Sequence, residues 1–133
     1  MSCSPKLFIV DDDKLFSMIL KKSLVKAGFM DDLATFTNGL DAINYIKEHS
    51  AEETKLPNTI LLDINMPIMD GWQFLDEFEK LCLALPKGIR IFILSSSIFP
   101  ADIEKSKQYE SVSEYLVKPV AKEKLEEIVS TCA

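Results

Sequence analysis

Thr59-Ile60-Leu61-Leu62-Asp63-Ile64-Asn65-Met66-Pro67-Ile68-Met69-Asp70-Gly71 holds the reading that decides the fold: a short apolar run, an acid at its end, then a turn. Pro57-Asn58 breaks the chain just before it. A run of this length that is apolar throughout, without polar alternation, suits a parallel strand covered on both faces. From Gly71 the period changes, with Phe74, Leu75, Phe78, Leu81 and Cys82 spaced for one face of a helix. Met66-Pro67 and Asp70-Gly71 shape the loop between the two elements.

The same strand-then-helix unit recurs outward in both directions. Leu7-Phe8-Ile9-Val10 is the first apolar run, and residues 15–27 follow with Leu15, Met18 and Ile19 on one expected apolar side and Gly28 as a C-terminal cap. Residues 33–36 read as a weaker strand, and 39–48 as a helix carrying Leu40, Ile43 and Ile46. Downstream, 89–94 is the fourth strand and 100–108 a short polar helix with Ile103 as its main apolar residue. The fifth strand is 112–117, and a last helix shows Leu125, Ile128, Val129 and Cys132 at i, i+3, i+4, i+7. Strict alternation predicts an α/β protein with an open, doubly wound, five-stranded parallel sheet and right-handed crossovers. A closed eight-fold barrel needs far more chain than 133 residues.

Composition agrees with one domain over 1–133: 47% hydrophobic and 27% charged residues, and no apolar run near bilayer-spanning length. The N-terminus lacks the long apolar stretch of a secretory signal, so a cytoplasmic location is expected, without membrane insertion. Twenty-one acidic against fifteen basic residues argue against a direct nucleic-acid surface. Cys3, Cys82 and Cys132 form no CxxC pair and read as reduced thiols, the last two packed in the core. His49, the one histidine, is expected in solvent at a helix end.

In open sheets ligands bind beyond the carboxyl ends of the strands. There the sequence offers Asp11-Asp12-Asp13 after strand one, Asp63 after strand three, Ser95-Ser96-Ser97 after strand four and Lys118-Pro119 after strand five. Crowded carboxylates raise one another's pKa, and a hard divalent cation such as Mg²⁺ relieves the repulsion. A cation, an ammonium and a hydroxyl around a carboxylate suit phosphoryl transfer to that carboxylate, with Asp63 as nucleophile. Asp13 reads instead as a helix-start acid. The Asp-Asp-Asp-Lys loop and the absence of GxGxxG exclude backbone phosphate cradles of the P-loop and dinucleotide type.

With these stretches quoted, together with Ile93-Leu94-Ser95-Ser96 and Tyr115-Leu116-Val117-Lys118-Pro119, the sequence resembles the response-regulator receiver domain over nearly its whole length. The resemblance implies a flavodoxin-like (βα)5 fold with strand order 2-1-3-4-5. It implies Asp63 as phosphoacceptor, Asp12 as direct Mg²⁺ ligand, Asp11 holding metal-bound water, and Asn65 ligating through its backbone carbonyl. Ser95 matches the switch hydroxyl, Lys118 the family's lysine and Tyr115 the aromatic switch, and the bond before Pro119 is expected to be cis. Ser95 replaces the commoner Thr, and Ser96 stands where Ala or Gly is more usual. The implied partners are a sensor histidine kinase or histidine phosphotransfer protein and a downstream protein target reached through helix four, strand five and helix five. Such a domain catalyses its own phosphorylation and dephosphorylation but serves as a switch. A phosphorelay shuttle, passing the group on to a histidine phosphotransfer protein, is the alternative the sequence leaves open.

Overall fold

Apolar runs with no polar face have to lie inside a sheet, and β1 (Leu7–Val10) and β3 (Thr59–Leu62) are buried at every position. The computed structural model describes residues 6–29, 32–86 and 88–130. β2 (Leu33–Phe36) flanks β1, and β4 (Arg90–Ser95) and β5 (Val112–Val117) follow β3. All neighbours are parallel, in the order β2-β1-β3-β4-β5. Register places Val10 beside both Phe36 and Leu62, and Leu62 beside Ile93. The strands therefore discharge their next residues onto one edge.

Helices α1 (Lys14–Lys26) and α5 (Lys122–Ser130) cover one face, while α2 (Gly39–Glu48) and α3 (Gly71–Leu81) cover the other. The side-chain period of two splits β1 between the layers: Phe8 and Val10 pack with Ile43, Ile46, Phe74 and Phe78, whereas Leu7 and Ile9 pack with Leu20, Leu24, Leu125 and Ile128. Each such fully buried side chain contributes about 1.5–3 kcal/mol of transfer free energy. The short α4 (Pro100–Ser106) lies beside β5 and buries only Ser106.

Polar side chains start the helices. Asp13 accepts the Phe16 N–H, Asn38 accepts that of Asp41, and Asp70 and Gln73 form a reciprocal capping box on α3. After α1, Gly28 adopts φ +107°, the left-handed conformation that ends a helix cheaply only at glycine.

Three expectations need correction. The expected apolar side of α1 is its solvent side: Leu15, Met18 and Ile19 are more than half exposed, and Ser17, Leu20 and Leu24 are buried. Apolar residues surround the first turns of this helix, so their period does not choose a face; the Asp13 cap at the end of β1 sets the phase. His49 is shielded, stacked on Tyr45 at 4.3 Å with Nδ1 2.6 Å from Glu52. The polar fourth helix ends at Ser106 and β4 extends to Ser95, each a shift of one or two residues. Cys82 is half-buried against the core, and burial pushes its thiol pKa up; Cys3 and Cys132 lie outside the described residues.

Candidate functional site

Hydrogen bonding at the strand ends builds the acidic site. The Asp11 amide donates to the Phe36 carbonyl and the Asp63 amide to the Val10 carbonyl, both at 2.9 Å, so the two acids leave adjacent strands side by side. Both are almost fully buried, whereas Asp12 is exposed. Asp63 Oδ1 accepts the Ile64 N–H at 2.8 Å and Asp11 Oδ1 accepts the Asp13 N–H at 2.9 Å, which fixes each carboxylate's orientation.

The 63–71 loop then folds back over β3. The Gly71 amide donates to the Ile64 carbonyl at 2.8 Å, and a Cβ at Gly71 would stand 2.5 Å from the Asp63 carbonyl oxygen. Ile68 sits at φ +70° with its side chain exposed, a strained setting for a β-branched residue. Local strain of this kind costs on the order of 1–3 kcal/mol and concentrates at functional loops. The Gly39 amide holds the same loop through the Met69 carbonyl at 3.0 Å.

Oxygens of Asp11, Asp12 and Asp63 come within 4.8 Å of one another. Lys118 reaches them from the end of β5: its amide donates to the Ser95 carbonyl, and its ammonium lies 2.8 Å from Asp11 Oδ2 and 3.7 Å from Asp63 Oδ1. The 118–119 peptide is cis, as expected. Burial, reinforced by the Asp11 charge, pushes the Asp63 pKa up to about 6 despite the opposing Lys118 ammonium and Ile64 N–H. With all three acids ionised, three negative charges face one positive, a net of two. An oxygen-only donor set with that surplus fits a hard divalent cation of the Mg²⁺ kind.

The remaining predicted residues occupy the rim. Ser95 is fully buried, and its Oγ accepts the Ser97 N–H at 3.0 Å. Tyr115 is half-buried and donates its hydroxyl to the Ser97 carbonyl at 2.9 Å, so it is tied to the loop that carries Ser95 and not to the acids. Asn65 is exposed on the loop after Asp63. Sequence reasoning missed Phe16, whose ring lies 4.1 Å beneath the Lys118 ammonium, and gave no separate role to Ser97, whose hydroxyl donates to Asp102 at 2.5 Å and ties the loop to α4. The only signal for Phe16 was its place three residues past the Asp13 cap, which carries no chemistry by itself.

A sheet of this order with these side chains at its carboxyl edge defines a class, the receivers of two-component signalling. The chain belongs to the response regulator receiver domain family, whose sequence profile matches residues 7–130. It is accordingly a phosphoacceptor signalling domain. A two-component response regulator from Cytophaga hutchinsonii superimposes with a TM-score of 0.86 over 98% of both chains, at 25% identity. The phosphorylated cyanobacterial phytochrome response regulator RcpA matches with a TM-score of 0.74 at 29% identity, covering 96% of this chain and 89% of that one. The sensor histidine kinase CheAY of Helicobacter pylori is 31% identical over 95% of this chain, which spans 15% of that protein's length. Among the described residues, no helix is long and apolar enough to cross a membrane.

Proposed function

We propose that the chain takes a phosphoryl group from a phospho-histidine donor onto Asp63 and thereby switches a protein-interaction surface. The carrying observation is the joint placement of the Asp63, Asp11 and Asp12 carboxylates with the Lys118 ammonium. An Asp63 carboxylate oxygen attacks phosphorus, the O–P bond forms as the donor's P–N bond breaks, and the imidazole leaves as the neutral ring after taking up a proton. Lys118, already 3.7 Å from Asp63, neutralises charge on the transferred group. Asp11, Asp12, Asp63 and the Asn65 carbonyl would hold Mg²⁺, which supplies further charge neutralisation when bound. Ser95 Oγ uses a lone pair on the Ser97 N–H, which leaves its own proton for a phosphoryl oxygen. Drawing Ser95 inward moves Ser97 and hence the Tyr115 hydroxyl attached to it, a population shift read out along α4, β5 and α5.

On this reading residues 1–133 act as one cytoplasmic receiver unit whose partners are a histidine kinase or phosphotransfer protein and a downstream protein. CheAY, a sensor histidine kinase with a similar stretch in its own chain, fits the donor side of that pairing. Intact mass after incubation with acetyl phosphate tests it. A phosphate-sized gain is expected for wild type with Mg²⁺ and not for Asp63→Asn or for wild type in chelator. A gain retained in Asp63→Asn would remove Asp63 as the acceptor.

A further inference from the structure

Beside the acidic edge, α1 and β2 enclose a cleft of about 330 Å³. Lys14, Ser17 and Lys21 line it from α1, Thr35 and Thr37 from β2 and its following loop, and Asp11 from the end of β1. Spacing of i, i+3 and i+7 puts the three α1 residues on one stripe of the helix. The groups are mostly donors: two ammoniums and three hydroxyls. Neither Lys14 nor Lys21 pairs with an acid among the described residues. Asp11, the one acid, is already met by the Lys118 ammonium at 2.8 Å and the Asp13 N–H at 2.9 Å.

An independent observation points to a ligand. Ser17 is 6% exposed, and its Oγ is the one buried side-chain oxygen or nitrogen without a hydrogen-bond partner among the described residues. Burying a hydroxyl unpaired costs free energy, and buried polar groups are nearly always satisfied by protein, water or a bound group. Ser17, with its unpaired hydroxyl buried just behind the wall, is one of the residues lining a cleft that also holds two uncommitted cations. We propose that this cleft binds a small oxyanion, a phosphate ester or a carboxylate, at a site separate from Asp63. The ammoniums of Lys14 and Lys21 clamp the oxyanion, Ser17 donates to it, and Met18, half exposed on the same wall, borders the organic body. Because Asp11 walls both sites, occupancy of the cleft is placed to influence the acidic centre.

Amide chemical shifts of the full chain, kept in chelator and titrated with inorganic phosphate or acetate at constant ionic strength, test the site. Saturating shifts are expected around Ser17, Lys21, Thr35 and Thr37. The dissociation constant should rise at least about tenfold in Lys14→Ala/Lys21→Ala, since each charge-assisted contact is among the stronger kinds. Both lysines are exposed, so that variant is expected to fold. Ser17→Ala should weaken binding less, and Asp63→Asn should still bind with the same dependence on the lysine pair, which separates this site from the phosphoacceptor centre. Tighter phosphate than acetate marks a phosphate ester as the natural ligand, and the reverse marks a carboxylate. Absence of saturation, equal shifts from chloride, or binding that follows Asp63 and not the lysine pair would each overturn the proposal.

Discussion

Asp63 keeps its proton to a higher pH than an ordinary aspartate, with a pKa of about 6, and its setting says why. Burial removes the water that would solvate its charge, Asp11 adds a like charge, and Lys118 at 3.7 Å only partly compensates. The group titrates near 3.8 in the unfolded chain and near 6 when folded. Between those values the folded form binds the extra proton, so the stability Asp63 contributes is fully present below about pH 4 and is lost as pH rises through 6. A displacement of that size puts the deficit near neutrality at no more than about 3 kcal/mol. Asp63→Asn has no charge to bury. In chelator its melting temperature should exceed that of wild type by several degrees at pH 7.5, and the lead should shrink toward pH 4. A lead that stays constant across that range would refute the burial argument. At this scale the acids, Ser95 and Lys118 were legible because residue type and position after an apolar strand suffice to place them. Phe16 and Ser17 were not, because their roles depend on which face α1 turns inward, and apolar residues at 15, 16, 18, 19 and 20 leave that open.

Elements meet the site through backbone, and two of the glycines at helix ends, Gly28 and Gly71, show how differently the same residue serves. Gly28 is required by its φ of +107°, and nothing lies within 4 Å of a Cβ added there. Gly71 is required by space: a Cβ would meet the Asp63 carbonyl at 2.5 Å and the Ile64 Cα at 2.8 Å, both backbone atoms that cannot swing aside. Gly28→Ala should therefore cost about 1 kcal/mol from conformation alone. Gly71→Ala should cost about 3 kcal/mol through forced displacement of the 63–71 loop. Urea midpoints at unchanged m value would measure both. The Gly71 variant should also accept phosphate more slowly, since the shift begins at Asp63 itself, while the Gly28 variant should match wild type. Equal costs at the two positions would contradict the packing reading. Strand and helix identities were legible because short, wholly apolar runs alternate with longer stretches of helical spacing. The phase of α1 was not, because it is set by the Asp13 cap and by packing against β1 and α5, which are tertiary facts.

Across the whole molecule a continuous set of contacts runs from the buried hydroxyl of Ser95 to a face remote from it. Ser95 holds the Ser97 N–H, Ser97 holds Asp102 of α4 through its hydroxyl and Tyr115 of β5 through its carbonyl, and α4 carries Lys105 over the Trp72 ring at 4.6 Å. Tyr109, just past α4, stacks on Trp72 at 6.0 Å and donates its hydroxyl to Asp76, while burial and that acid push its pKa up to about 12. With no side-chain cap and one buried residue, α4 has the fewest buried residues of the five α-helices and is the helix most easily displaced. Trp72 is the sole tryptophan, so its emission reports this α3–α4 contact alone. Phosphorylation verified by mass should change the emission intensity or maximum of Trp72 as Lys105 and Tyr109 shift. Tyr115→Phe, which loses the bond to Ser97, should still accept phosphate yet show a smaller change. Identical spectra before and after complete phosphorylation would mean that α4 keeps its place on α3, and the switch would then have to be read along β5 and α5 without it.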